Sequence, residues 1–273
     1  MNEYSHIKAV AFDMDGTLLH SDGCVSLYTL DVLARCKRAG LHIIAVTGRP
    51  RQACRVLTAV HPLLSAEIYN NGGDCWKGER RLFSHAVPGT EAAAIMRRLT
   101  QRFPGLPVAA ETEKGLYAGF DAHLWWPSDT AFVRTDWNEP IPDTYKLTTM
   151  PLGLGTSRQT HVPFDQPFSE TAIRETFPAH LPVLIMERGW IVQALPENVD
   201  KAQGLSEELQ LLGLSLCDCV AFGDDGNDIG MLQAAGVGVA MGNAFPYVLQ
   251  AVPLQALPND QEGMARWLEK HVL

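Results

Sequence analysis

What this 273-residue chain lacks narrows its reading first. No uninterrupted apolar run approaches the roughly 18 residues of a membrane-spanning helix. Its first residues, Met1 to His6, carry neither the basic nor the apolar region of a signal peptide, so a cytoplasmic protein with no membrane partner is expected. Basic charge is also scarce. The chain has 22 Lys and Arg against 31 Asp and Glu, a formal net charge of -9. Nucleic-acid binders concentrate positive charge, so no nucleic-acid partner is expected. The six cysteines (Cys24, Cys36, Cys54, Cys75, Cys217 and Cys219) form no C-x-x-C pair, and the nine histidines show no i, i+4 pairing. That removes the common sequence signs of a zinc centre and leaves reduced, partly buried thiols. Internal repeats and low-complexity tracts are missing. What remains, 46% apolar and 19% charged, is the composition of a soluble globular protein with one large domain or two modest ones.

Against that background one stretch stands out. The apolar run Ala9-Val10-Ala11-Phe12 ends in Asp13-Met14-Asp15-Gly16-Thr17. Residues two apart point the same way from a strand, so both carboxylates are expected to converge just beyond a sheet edge, where α/β proteins bind ligands. Two such charges about 4 Å apart repel by about 4 kcal/mol at an effective dielectric near 20. The pair therefore calls for a cation, a shared proton, or both. An ordinary strand-to-turn junction is the alternative, because Asp and Gly are common turn residues.

The rest of the chain alternates strand and helix signals. Ser26, the stripe Leu27, Leu30, Leu33, Ala34 and then Gly40 read as a capped helix. Leu41 to Val46 reads as a buried strand ending in Thr47-Gly48-Arg49-Pro50, with a further helix expected to run to about His61-Pro62. Ala66 to Tyr69 is a third strand, followed by the turn Asn70-Asn71-Gly72-Gly73. From about Trp76 the texture changes. Short strand-like segments (Arg80 to Val87, Val108 to Glu111, Leu116 to Phe120, Tyr145 to Met150, Val183 to Glu187) alternate with helices opened by Thr90 and Ser169, and Trp125-Trp126-Pro127 lies between them. This is an α+β insertion. The strand and helix alternation resumes at Pro196. Lys201 opens a helix that ends at Gly213, strand Cys217 to Phe222 runs into Gly223-Asp224-Asp225-Gly226-Asn227-Asp228, strand Val237 to Met241 runs into Gly242-Asn243-Ala244, and Gln261 to His271 is a last amphipathic helix. The fold class expected is α/β. It comprises a Rossmann-like, doubly wound parallel-sheet core over 1–78 and 195–273 with an inserted α+β cap over 79–194.

Asp13-x-Asp15-Gly16-Thr17 resembles the first motif of the haloacid dehalogenase-like superfamily, most of whose members are Mg²⁺-dependent phosphatases. Thr47-Gly48-Arg49 resembles its second motif, Lys201 its third and Gly223-Asp224-x-x-Asn227-Asp228 its fourth. Asn71-Gly72 and Gly242-Asn243-Ala244 match further stretches of the Cof-like branch, although that branch's usual Lys-Gly is Lys201-Ala202 here. The resemblance implies that Asp13 attacks phosphorus, that Asp15 is the general acid and base, and that Lys201 neutralises charge. It places Mg²⁺ on Asp13, the Asp15 carbonyl, Asp224 and Asp228, and phosphate on Thr47, Gly48, Asn71, Gly72, Asn227 and Asn243. Each has a plainer reading as well: Thr47 or Asn243 as helix caps, Lys201 and Arg49 as solvated helix-start residues, Asp228 as a hydrogen-bonding support for Asn227 and Lys201. Trp125 and Trp126 suit cap core or an oligomer contact better than a substrate platform.

The physics is consistent with that chemistry. A carboxylate attacking a phosphate dianion needs cations around the phosphoryl group, and Mg²⁺ prefers oxygen ligands. The expected function is Mg²⁺-dependent hydrolysis of a small phosphorylated metabolite, such as a sugar phosphate, through an aspartyl phosphate. A phosphomutase and a non-catalytic phosphometabolite-binding protein are the alternatives.

Overall fold

The structure, a computed structural model, describes residues 4–54, 58–126, 130–154, 162–186 and 189–273. Met1 to Glu3, and Pro127 and Glu187 of the segments named above, lie outside the described residues. In chain order the elements begin with β1 (Ala9–Phe12), α1 (Leu27–Arg38), β2 (His42–Val46), β3 (Ala66–Tyr69), β4 (Asp74–Lys77) and β5 (Arg80–Ser84). Then come α2 (Gly89–Arg102), β6 (Val108–Thr112), β7 (Gly115–Ala118), β8 (Phe132–Arg134), β9 (Thr144–Thr149), β10 (Gly153–Leu154), β11 (Val162–Pro163), α3 (Glu170–Arg174), β12 (Val183–Met186) and β13 (Ile191–Ala194). The chain closes with α4 (Lys201–Leu211), β14 (Cys219–Gly223), α5 (Ile229–Ala234), β15 (Val237–Ala240), α6 (Pro246–Ala251), β16 (Leu254–Gln255) and α7 (Gly263–His271). They form two compact units, Met1–Ser84 with Asp200–Leu273, and His85–Val199.

The first unit is built on an eight-stranded sheet of order β16-β15-β14-β1-β2-β3-β4-β5. Neighbours from β16 to β3 are parallel, while β4 and β5 are antiparallel additions at one edge. β1 is buried throughout because both its faces are covered, which explains its unbroken apolar run. Val10 and Phe12 pack with Val32, Leu33, Trp267 and Leu268 of α1 and α7. Ala9 and Ala11 pack with Leu205, Leu209, Met231 and Val248 of α4, α5 and α6. After β1 the chain winds to β2 and β3 on one side, and it later returns to β14, β15 and β16 on the other. The carboxyl end of β1 is therefore the topological switch point of the sheet.

The second unit holds a six-stranded sheet of order β12-β13-β9-β6-β7-β8, antiparallel except for the β7 and β8 pair. α2 and α3 close one face through Met96, Leu99 and Ile173 on Leu147 and Val192. A smaller cluster of Ala109, Leu116, Ala118 and Ala122 takes Trp126 against it, and Trp125 meets Trp126 edge-on with ring centroids 6.4 Å apart.

Local expectations hold unevenly. Ser26 caps α1 by accepting the Thr29 N–H at 3.0 Å, and Ser169 caps α3 through Ala172 at 3.3 Å. Thr90 does not cap α2. The helix starts one residue earlier, and the Gly89 N–H is satisfied at 3.0 Å by Asp143 from another segment of the same unit. Among the described residues, the helix expected after Pro50 appears as 3₁₀ turns at Arg51–Ala53, 58–59 and His61–Leu63, with 55–57 outside the described residues. Arg80–Ser84, expected in the insertion, pairs with β4 and extends the first sheet, because Lys77-Gly78-Glu79-Arg80 turns the chain straight back. At the other junction, 195–199 fall in the second unit. No helix among the described residues is long and apolar enough to cross a membrane.

All six cysteines are free, with Cys24 and Cys217 exposed and the other four buried. Burial pushes the Cys36 thiol up to about 11 and the Cys219 thiol up to about 12, which suppresses the reactive thiolate. Ellman's reagent at pH 8 should titrate two thiols in the native protein and six after denaturation. Fast labelling of Cys36 or Cys219 would contradict this packing.

Candidate active site

The polar residues gather where the central strands end. Asp13 follows β1, Thr47 follows β2, Asn70–Gly72 follows β3, Asp224 follows β14, and Gly242 and Asn243 lie just past β15. Lys201 is the first residue of α4 and is fully buried. Its Nζ donates to Asp13 Oδ1 at 2.7 Å and to Asp228 Oδ1 at 2.6 Å. A lysine at a helix amino terminus opposes the helix dipole, and burying it adds desolvation, so these carboxylates must hold it there. Burial works against the Lys201 ammonium, but Asp13 and Asp228 outweigh it and keep its pKa above that of a free lysine.

Asp13, Asp224 and Asp228 are buried, and each offers an oxygen within 4.8 Å of the others. Two of these carboxylates, Asp13 and Asp228, pair with the Lys201 ammonium, and Asp224 lies beside them. Burial pushes the Asp13 carboxyl well above its ordinary range. Lys201 pulls against that shift, and Asp228 and Asp224 reinforce it. Asp224 is pushed up to about 7, first by burial and then by Asp228 and Asp225. A surplus of negative charge at a buried, all-oxygen cluster suits a hard divalent cation. Asp228 is the least available of the three as a ligand. Its Oδ1 is taken by Lys201, and its Oδ2 accepts the N–H groups of Asp224 at 2.9 Å and Asp225 at 3.0 Å. Those contacts make it the support that fixes both Lys201 and the Asp224 turn.

Asp15 departs from the expected convergence. β1 stops at Phe12, and a wide turn over Met14–Leu18 carries the Asp15 side chain away from the carboxylate cluster. Its carboxylate is 55% exposed and gripped by the Arg49 guanidinium, with Nε donating to Oδ2 at 2.7 Å and Nη2 to Oδ1. Asp15 pulls the Arg49 pKa above its ordinary value against the opposing effect of burial. Arg49 is thus more than a solvated helix-start residue. An Arg two residues after a strand-end Thr is a common enough pattern that only the fold shows its partner.

Close packing explains the small residues. Gly16 has φ +75°, and a Cβ there would lie 2.3 Å from Asp224 Oδ2, so only glycine lets the first turn approach the fourth-motif carboxylate. Thr17 seals the contact with a hydrogen bond from Oγ1 to Asp224 Oδ1 at 3.2 Å. Gly72, at φ +100°, sits where a Cβ would come within 2.1 Å of the Asp200 carbonyl, next to Lys201. A Cβ on Gly48 would meet Asn71 Oδ1 at 2.9 Å, and that oxygen already accepts from Asn227 Nδ2 at 2.9 Å. Thr47, Gly48, Asn71 and Asn227 therefore lie side by side. Thr47 Oγ1 accepts the Arg49 N–H at 3.1 Å, which leaves the hydroxyl proton free to donate elsewhere.

Asn243 braces the first turn. Its Nδ2 donates to the Gly16 carbonyl at 2.8 Å and its Oδ1 accepts the Asn259 N–H at 2.9 Å, while Asn259 Nδ2 donates to the Leu19 carbonyl at 2.8 Å. Two amides thus hold the middle of the Asp15 turn, at Gly16, and the residue just past its end, Leu19. Nothing in the sequence marked Asn259, 16 residues beyond Asn243 in a loop. Asn259→Ala should leave the native circular dichroism in place and lower turnover by about tenfold, with a larger divalent-cation requirement, because the turn loses one anchor. Wild-type turnover and cation dependence would show that the clamp is dispensable.

Similarity to known proteins extends over nearly the whole chain. A family model for haloacid dehalogenase-like hydrolases matches residues 10–268. The chain is 26% identical over 275 residues to the 5-amino-6-(5-phospho-D-ribitylamino)uracil phosphatase YitU of Bacillus subtilis, covering 96% of each chain. It is 27% identical over 287 residues to the pyridoxal phosphate phosphatase YbhA of Escherichia coli, covering 97% of this chain and 99% of that one. Among solved structures, the HAD subclass IIB sugar phosphatase BT4131 superposes with a TM-score of 0.78 at 23% identity, over 96% of this chain and 98% of that one. With the family match spanning nearly the whole chain, this protein belongs to the haloacid dehalogenase-like hydrolases, on their Cof-like phosphatase branch.

Proposed function

We propose that this hydrolase is a Mg²⁺-dependent phosphatase of a small phosphomonoester metabolite, a sugar phosphate or a similar compound, acting through an aspartyl phosphate on Asp13. The observation that carries the reading is the buried Lys201 ammonium between Asp13 and Asp228, beside Asp224, at the switch point of the sheet. The relatives support the substrate class, since the names of YitU and YbhA both describe small phosphorylated metabolites.

Asp13, the Asp15 carbonyl and Asp224 would hold Mg²⁺, with Asp228 behind them. The ion would add positive charge against the phosphoryl oxygens and the nucleophile. Asp13 attacks phosphorus, and Lys201 offsets the repulsion between carboxylate and phosphate. The Thr47 hydroxyl and the backbone at Gly48 receive phosphoryl oxygens, and Asn71, Gly72 and Asn227 frame the same wall. Asp15 gives its proton to the departing alkoxide oxygen. It then takes a proton from the water that attacks the aspartyl phosphate, which releases inorganic phosphate and restores Asp13.

Excess EDTA should abolish turnover of a panel of phosphorylated metabolites, and Mg²⁺ should restore it. Full activity after thorough chelation would sink the metal assignment, and an isomeric sugar phosphate in place of inorganic phosphate would reveal a mutase. Lys201→Ala should fold yet lose more than about tenfold in turnover. With nitrophenyl phosphate, whose leaving group needs little protonation, Asp15→Asn should accumulate a phosphoryl adduct on Asp13 visible by mass spectrometry. An adduct on any other residue would reverse the assignment of the pair.

A further inference from the structure

We infer that Arg49 is a latch on the acid–base carboxylate. Its guanidinium parks Asp15 where no proton can be passed to a leaving group, and the phosphoryl group of the substrate frees Asp15 by taking the guanidinium for itself. The inference rests on the phosphatase reading above and concerns how that site is switched on.

The geometry supplies the first half. Both Asp15 carboxylate oxygens accept from Arg49, Oδ2 from Nε and Oδ1 from Nη2. A guanidinium has donors only. While the fork is closed, each oxygen already accepts from a cation that can take no proton, which favours the ionised carboxylate over the protonated acid a leaving group needs. The paired side chain also faces outward: Asp15 is 55% exposed, whereas the Asp13 side chain is 8% exposed. On this inference Asp15 leaves Arg49 before it acts as the acid.

The second half follows from where Arg49 is tethered. Its backbone N–H donates to Thr47 Oγ1 at 3.1 Å, and its Nη1 donates to the Ala53 carbonyl at 3.3 Å. The guanidinium is thus fixed to the strand end that carries the phosphoryl contacts, and Asp13 is among the charges that raise its pKa. A phosphoryl group offers the same planar fork two oxygens and about twice the charge of a carboxylate. Exchange of partners costs one bidentate pair and gains a stronger one. It releases the acid only when something is bound for it to protonate, which couples phosphate recognition to proton transfer.

The test uses Arg49→Gln and Arg49→Lys, each checked for native circular dichroism. Inorganic phosphate with Mg²⁺ is titrated by calorimetry, and nitrophenyl phosphate is compared with an unactivated alkyl phosphate. The latch predicts at least tenfold weaker phosphate binding in Arg49→Gln, with a parallel rise in KM for both esters. The alkyl to nitrophenyl kcat ratio should equal or exceed that of the wild type, since Asp15 is no longer held. Arg49→Lys should recover part of the phosphate affinity. Unchanged phosphate binding with kcat lost only for the alkyl ester would overturn the inference, because Arg49 would then be orienting Asp15 productively. No change in any measurement would reduce it to a surface pair. Should the wild type hydrolyse neither ester, the phosphatase reading fails by itself, while calorimetry still reports whether Arg49 takes phosphate.

Discussion

A surplus of negative charge that the fold has no means of dispersing governs this molecule. Three buried carboxylates cluster around a site where one ammonium pairs with only two of them, and even at an effective dielectric near 20 a like-charged pair about 4 Å apart costs about 4 kcal/mol. Such a cluster is unfavourable for folding alone and becomes favourable when cationic charge arrives. Burial raises the proton affinity of Asp13 and Asp224, and the neighbouring carboxylates raise it further, so either a proton or a divalent cation would relieve the strain. The doubly wound sheet confines the problem to a single spot. β1 is covered on both faces, and its carboxyl end opens at the switch point, so the charges meet ligand there instead of apolar core.

Holding the cluster together requires backbone approaches that side chains would prevent. Gly16 brings the first turn onto Asp224, and Gly72 lets the start of α4 sit beside the loop after β3, which is what delivers Lys201. Asn243 and Asn259 then fix the Gly16 carbonyl within the Asp15 turn and the Leu19 carbonyl just after it. Chemistry at this site thus depends on residues that never touch a reacting atom. Their common property is that each satisfies a backbone group or leaves room for one.

The sequence revealed the parts that depend on local pattern. An apolar run before a carboxylate marks a buried parallel strand, and the alternation of runs and helical stripes marks the Rossmann-like core; Lys201, Asp224 and Asp228 are singled out by resemblance to the superfamily's motifs, since by local pattern Lys201 reads as a solvated helix-start lysine. Reading failed where tertiary partners decide. Arg80–Ser84 has the texture of the insertion, but a tight turn adds it to the first sheet. Thr90 has the chemistry of a cap, but Asp143 from a distant loop takes its place. Asn259 and the Arg49 grip on Asp15 span 16 to 34 residues of chain, distances at which no periodicity operates.

The most instructive departure is the pair that first drew attention. Strand alternation would have put Asp13 and Asp15 side by side, sharing one environment and competing for one proton. Because β1 ends at Phe12 and Gly16 bends the turn, the two carboxylates are separated instead: one is buried against an ammonium, the other is exposed beside a guanidinium. Two identical groups can only perform different tasks when their surroundings differ. In the proposed mechanism the nucleophile must be unprotonated and fixed, and the Lys201 ammonium works toward both at Asp13 against the effect of burial. The proposed proton shuttle must exchange with water, and Asp15 is the exposed member of the pair. The residue between them, Met14, is fully buried, so it anchors the turn that keeps the two environments apart.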